Sequence, residues 1–229
     1  MNSDLPTRSP VNEKIKTIEL DFVNAFLVKA ERGFVLIDTG MGHHWDRLEA
    51  ALKALGCLPN RLKVVLITHG DLDHVGNCAK LQMKYKIPIA IHAGDALMVE
   101  SGVAPKRTVR TLRARVFSWV ARMRVKKMAV ERFKPDLLLN DGQDLSSTYG
   151  FQAKVVHIPG HTKGSIGILT EGGALFVGDT LLNRGKPDTA TYIEDPVELK
   201  NSIAKLRTMN IKMVYPGHGK PFSMEQLPG

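Results

Sequence analysis

The sequence predicts one domain of mixed β-strands and α-helices, an α+β protein spanning residues 1–229. Three observations lead there. Short runs of β-branched and aliphatic residues recur along the chain, and many end in a small polar loop carrying His or Asp. Helix start and stop signals are interspersed among these runs. No sequence repeat and no low-complexity linker divides the chain, and 229 residues suffice for one large buried core.

Two short apolar runs lie within Ile15 to Val28, and Gly33 to Asp38 has the pattern of a buried strand ending in a Thr-Gly turn. A helix is expected from Trp45 to Leu55, stopped by Gly56. The strand Leu62 to Thr68 runs directly into His69. A second helix is expected from Gly76-Asn77 to about Tyr85, followed by a strand from Ile87 to His92. Asp141-Gly142 between apolar runs predicts a hairpin over Asp136 to Leu145. Strands are expected over Ala153 to Ile158, Ile166 to Leu169 and Ala174 to Val177. Asp195-Pro196-Val197-Glu198 is a helix N-cap signature, and that helix is expected to reach about Met209. A last strand, Lys212 to Tyr215, leads into Pro216-Gly217-His218.

Composition excludes several classes. An apolar fraction of 43% and a charged fraction of 24% are those of an ordinary globular protein. No stretch approaches the roughly 18 apolar residues of a membrane span. Met1 to Pro10 has no apolar core, so the reading is of a cytoplasmic protein without a signal peptide. Cys57 and Cys78 form no C-x-x-C pair and are expected as small buried hydrophobes. The net charge of +9 is local, because Lys106 to Lys134 carries eleven basic residues and one acidic residue, Glu131. Outside that segment the chain is nearly neutral. Within it, Val109, Leu112, Val116, Val120 and Met123 are spaced as on one face of a helix, which predicts a basic helical insertion at about 104–134.

The chemistry concentrates in Thr68-His69-Gly70-Asp71-Leu72-Asp73-His74, where four potential ligands fall within six residues on a strand-to-helix loop. Such a cluster could also be a solvated turn. Further ligand types arrive at later strand ends: His161 in Pro-Gly-His-Thr-Lys-Gly-Ser, Asp179 in Gly-Asp-Thr, and His218 in Pro-Gly-His-Gly. Imidazole and carboxylate together suit zinc, iron or manganese. His157 reads as a packed or supporting residue, and His43 and His44 read as exposed.

In this order the residues resemble the metallo-β-lactamase superfamily, and in particular its single-domain members akin to glyoxalase II and the lactonases. That family carries a His-x-His-x-Asp-His loop, a lone His, a lone Asp and a C-terminal His. The resemblance runs from about Ile15 to Phe222 and includes the Leu-Ile-Asp-Thr-Gly strand end at Asp38. It implies a four-layer αββα sandwich, two mixed β-sheets flanked by helices. It also implies two divalent metal ions, zinc first with iron or manganese next. The first would be held by His69, Asp71 and His161, the second by Asp73, His74 and His218. Asp179 would bridge the two, and Asp38 would support the site without ligating.

One position departs from the family pattern, since Asp71 stands where the family has its second histidine. A carboxylate is a harder ligand than imidazole and adds a negative charge. That predicts weaker Lewis acidity at the first metal and a less acidic bound water, and leaves open a first position only partly filled. The implied reaction is attack by a dinuclear-metal-bound hydroxide on a carbonyl carbon of an ester, thioester, lactone or amide, with Asp73 orienting the hydroxide as it ligates. The expected partner is a small-molecule substrate rather than nucleic acid, with peripheral membrane contact through the basic segment and oligomerisation left open. The alternative is a di-iron redox protein related to the flavodiiron metal domain, which shares a carboxylate at position 71.

Overall fold

The structure is a computed structural model that describes residues 15–110 and 131–228. Its elements, in chain order, are β1 (Ile15–Leu20), β2 (Val23–Ala30), β3 (Gly33–Ile37), α1 (Trp45–Ala54), β4 (Leu62–Leu66), α2 (Leu72–Val75) and α3 (Cys78–Tyr85). Then come β5 (Ile89–His92), α4 (Ala93–Ser101), β6 (Thr108–Val109), β7 (Leu137–Leu139), α5 (Ser146–Tyr149), β8 (Ala153–His157), β9 (Ile166–Thr170) and β10 (Ala174–Gly178). The chain closes with β11 (Leu181–Asn183), β12 (Pro187–Thr189), β13 (Tyr192–Ile193), α6 (Pro196–Arg207), β14 (Met213–Pro216) and β15 (Phe222–Ser223).

Two mixed sheets result. The first has the order β1-β2-β3-β4-β5-β7, antiparallel across β1 to β3 and parallel from β3 to β7. The second has the order β15-β14-β10-β9-β8, with only β10 and β14 parallel. Because successive strand residues face opposite sides, each sheet feeds two cores. Along β2, Val23, Ala25 and Leu27 join a core roofed by Leu48 and Leu52 of α1 and Leu81 of α3. Phe26 and Val28 of the same strand instead meet Val155, Ile168 and Phe176 of the second sheet. The far side of that sheet, through Val156, Leu175 and Val177, packs on Leu206 of α6. Three stacked cores between helix, sheet, sheet and helix make the four-layer αββα sandwich. Each fully buried side chain, such as Phe176 at 0% exposure, adds roughly 1.5–3 kcal/mol.

Local signals explain most element ends. Oδ1 of Asp195 accepts from the backbone N–H groups of Val197 and Glu198, capping α6 ahead of Pro196. Gly56, at φ 73°, follows the C-terminus of α1. Both cysteines are buried, and burial pushes the Cys57 thiol up to about 12.

Four expectations need correction. Leu137–Leu139 does not form a hairpin; it joins the first sheet parallel to β5. The Asp141-Gly142 turn is present, but the chain leaving it bridges to Lys154 of the second sheet. α4 follows β5 where no helix was expected. Thr108–Val109, expected to begin the basic helix, is a strand paired with β13, as suits its two β-branched residues. The remainder of that helix, residues 111–130, lies outside the described residues. Finally, His44 is buried at 2% exposure, with Nε2 on Asp21 Oδ2 and Nδ1 accepting from the backbone N–H of Met41, which withdraws its ring from solvent. Among the described residues no helix is long and apolar enough to cross a membrane.

Candidate metal centre

The C-terminal ends of the parallel strands β3, β4 and β10 open toward one edge of the sandwich, where their loops meet. β3 delivers Asp38, which has the left-handed backbone conformation (φ 58°) and is fully buried. β4 delivers Thr68 and His69, and α2 carries Asp73 and His74. β10 ends at Gly178, whose φ is 53° and where an added Cβ would lie 2.5 Å from Thr68 Oγ1. Only glycine lets Asp179 approach this closely. The loops after β8 and β14 supply His161 and His218.

All seven residues expected from the sequence converge here. His69, Asp71 and His161 form one group and Asp73, His74 and His218 another, with ligand atoms in each within 4.8 Å of one another; His69, His74 and Asp179 make a third group between them. Oδ2 of Asp71 faces Nε2 of His161 at 3.1 Å and Nε2 of His69 at 3.4 Å. Oδ1 of Asp179 lies 3.3 Å from His74 Nε2, and its Oδ2 lies 3.2 Å from His218 Nε2. Asp73 Oδ2 is 3.3 Å from the same His218 atom.

The imidazoles are held in one orientation. Nδ1 of His161 donates to the carbonyl of Tyr192 at 2.7 Å, and Nδ1 of His218 donates to that of Phe22 at 2.5 Å. Nδ1 of His74 donates to Asp38 Oδ2 at 2.8 Å. The Thr68 hydroxyl spends its proton on that same carboxylate, so it accepts from Nδ1 of His69 at 3.1 Å. All four rings therefore direct Nε2 inward, as metal-ligating histidines do. His69 Nε2, His74 Nε2 and Asp179 Oδ1 are buried with no hydrogen-bond partner among the described residues. Carboxylate oxygens only accept, so a proton or a cation has to stand between them and these nitrogens. The donor set thus fits two divalent ions.

The electrostatics agree. Burial opposes the charged form of Asp71, yet the facing imidazoles of His161 and His69 and the charge of Arg107 hold it well below the usual carboxylate range. Asp179 is likewise held low, against burial, by His218 and His74. Burial would lower His74, but Asp38 and Asp179 raise it well above its ordinary value.

Sequence reasoning missed two participants. Asp95, 2% exposed, accepts from Gly70 N at 2.7 Å and Thr162 Oγ1 at 2.7 Å through Oδ2, and from Gly164 N at 2.8 Å through Oδ1. It ties the loop of His69 to the loop of His161. Arg107 donates from Nη1 to Asp71 Oδ2 at 2.5 Å. Neither contact leaves a local motif; the pattern that could have flagged Asp95 is only a buried carboxylate beside Gly94. His157 is a packed residue, stacked on His92 at 4.0 Å with Nε2 on the Lys163 carbonyl.

The sequence matches the family model of the metallo-beta-lactamase superfamily over residues 18–218. The chain belongs to the metallo-beta-lactamase superfamily. Among relatives in this superfamily, the hydroxyacylglutathione hydrolase GloC of Haemophilus influenzae is 29% identical over 193 residues, covering 82% of this chain and 81% of that protein. The human acyl-coenzyme A thioesterase MBLAC2 is 28% identical, over 89% of this chain and 75% of its own length. A solved structure of TTHA1623 in a di-iron-bound form superimposes with a TM-score of 0.69 at 28% identity, covering 93% of this chain and 98% of that one. With the hydroxyacylglutathione hydrolase and the acyl-coenzyme A thioesterase among its relatives, the chain is a hydrolase of the superfamily.

Proposed function

We propose that this hydrolase cleaves acyl substrates, thioesters first among them and esters, lactones and amides after, at a centre of two divalent metal ions. His69, Asp71 and His161 would hold the first ion and Asp73, His74 and His218 the second, with Asp179 lying between the two groups. The observation that carries the reading is the common orientation of the four histidines, each with Nδ1 against a fixed acceptor and Nε2 turned inward. Thioesters come first because the relatives at 28–29% identity include a hydroxyacylglutathione hydrolase and an acyl-coenzyme A thioesterase.

Two divalent ions in these positions would supply an activated water at neutral pH and polarise the carbonyl that it attacks. The chain's own residues do the rest. Asp73 is the most solvent-accessible of the three carboxylates, at 23% exposure against 19% for Asp71 and 10% for Asp179. It is therefore the carboxylate placed to orient the attacking water and to accept its proton. Asp38 and Thr68 fix the rings of His74 and His69. Phe22, 55% exposed and parallel to the His218 ring at 5.8 Å, offers apolar surface beside the centre for an acyl chain.

Zinc is the first expectation for the metal. Iron is the second, since a carboxylate stands at position 71 and a relative has been solved in a di-iron-bound form. The test pairs elemental analysis with hydrolysis of a panel of acyl-glutathione and acyl-coenzyme A thioesters. About two metal ions per chain and thioester turnover are expected, both lost in His69→Ala and Asp179→Ala. If either variant keeps full metal content and full hydrolysis, the reading fails. Iron with oxygen consumption and no hydrolysis would replace it with the redox alternative.

A further inference from the structure

Asp71 does not stand alone. The oxygen that faces His161 and His69, Oδ2, is the oxygen that receives Nη1 of Arg107 at 2.5 Å. The arginine side chain is only 12% exposed. Its Nη2 lies 3.9 Å from the sulfur of Met98, and its Nε is buried with no hydrogen-bond partner among the described residues. A charged group this enclosed depends on nearby carboxylates: Asp71 in direct contact, with Asp95 and Glu194 adding to the field.

The backbone delivers it there. Thr108 and Val109 pair with Ile193 and Tyr192, the Arg110 N–H donates to the Thr191 carbonyl at 3.0 Å, and the Arg110 guanidinium bonds to Asp188 and Thr189. Tyr192 also accepts from Nδ1 of His161. One two-stranded clasp thus positions both the arginine and a ring of the first metal group.

A histidine at position 71 would offer no negative charge to a guanidinium, so the aspartate and the arginine belong together. The arginine cancels the charge that Asp71 adds, and it does so on the ligating oxygen. It claims electron density that a metal would use, and it sets a fixed positive charge beside the position a divalent cation would take. In a partly buried site that repulsion is weakly screened.

We infer that Arg107 competes with metal for Oδ2 of Asp71, so that the first metal position fills after the second and more weakly. This rests on the two-metal reading above, and the experiment separates the two. Metal-stripped protein is titrated with zinc against a chromophoric chelator, for the unaltered chain and for Arg107→Gln, with circular dichroism confirming the fold of both. The unaltered chain is expected to bind in two distinct steps. In R107Q the weaker step should tighten roughly tenfold or more while the tighter step holds its position. A weaker step that is unchanged or further weakened in R107Q overturns the inference, because the arginine would then be supporting Asp71 as a ligand. Two steps of equal strength in the unaltered chain overturn it as well, leaving the two-metal reading intact. If neither protein takes up zinc, both fall together. Should R107Q misfold, a crystal structure of the unaltered chain in excess zinc decides: the guanidinium is expected to have left Oδ2. Full occupancy of the first position with Nη1 still on that oxygen overturns the inference.

Discussion

Nδ1 of His74 donates to Oδ2 of Asp38 at 2.8 Å, and both side chains are sealed from solvent. Asp38 also accepts from the backbone N–H and the hydroxyl of Thr68, so a single carboxylate aligns His74 directly and His69 through Thr68. Asp38→Ala should therefore lower metal affinity by about 10–100-fold although Asp38 touches no metal position. Chelator competition measures it; affinity equal to that of the unaltered chain would show that the rings hold their orientation without it.

Gly217 gives a test that changes no ligand and no support. A Cβ there would lie 2.5 Å from Cε1 of His74 and 2.6 Å from Oδ1 of Asp179. Gly217→Ala should push these two apart and cost on the order of tenfold or more in metal affinity, as displaced supports do. Thermal melting of the metal-free protein should change far less, and a large loss there with intact metal binding would contradict the prediction.

Asp95 should act mainly through stability. Asp95→Ala strips partners from the buried groups of Gly70, Thr162 and Gly164. Each unpaired buried donor costs about 1–3 kcal/mol, so a loss of about 3 kcal/mol in urea unfolding is expected. The loop of His161 would be freed from the loop of His69, and metal uptake should fall with it.

Proton release offers a fourth measurement. Burial alone would lower His218, but the carboxylates of Asp179 and Asp73 raise it to about 9 from the ordinary 6.5. Without metal, the protonated ring contributes stability that is fully present below 6.5 and is lost as pH rises through about 9. A metal at Nε2 has to displace that proton. Affinity should thus climb with pH and level off near 9, and calorimetric titration at pH 7 should show an enthalpy that depends on the buffer. A buffer-independent enthalpy would refute this.

Much of this architecture is written in short stretches of chain. The near-continuous apolar runs at Val23 to Ala30 and Gly33 to Ile37 announce strands with two buried faces, and Asp195-Pro196 announces α6. The seven candidate ligands were legible for the same reason, since they lie in loops that follow recognisable strand ends. What escaped was set at long range. Asp141-Gly142 signals a change of direction but not that β7 would join β5 in one sheet while the chain after the turn meets β8 in the other. α4 is capped by His92, whose ring accepts from Gly94 N, a capping residue outside the usual Ser, Thr, Asp and Asn. The helical spacing beyond Val109 concealed the strand at Thr108, whose partner lies across the chain at Ile193.

The four Nδ1 locks have a consequence for exchange. Each is made to the protein scaffold, to the carbonyls of Tyr192 and Phe22, the Thr68 hydroxyl and the Asp38 carboxylate, rather than from ring to ring. The imidazoles keep their aim whether or not an ion stands between them. Unlike a small zinc module that folds only around its metal, this chain would keep its fold and its ligand geometry when an ion leaves. Residence time of an ion at the centre would then be a property separate from the lifetime of the fold.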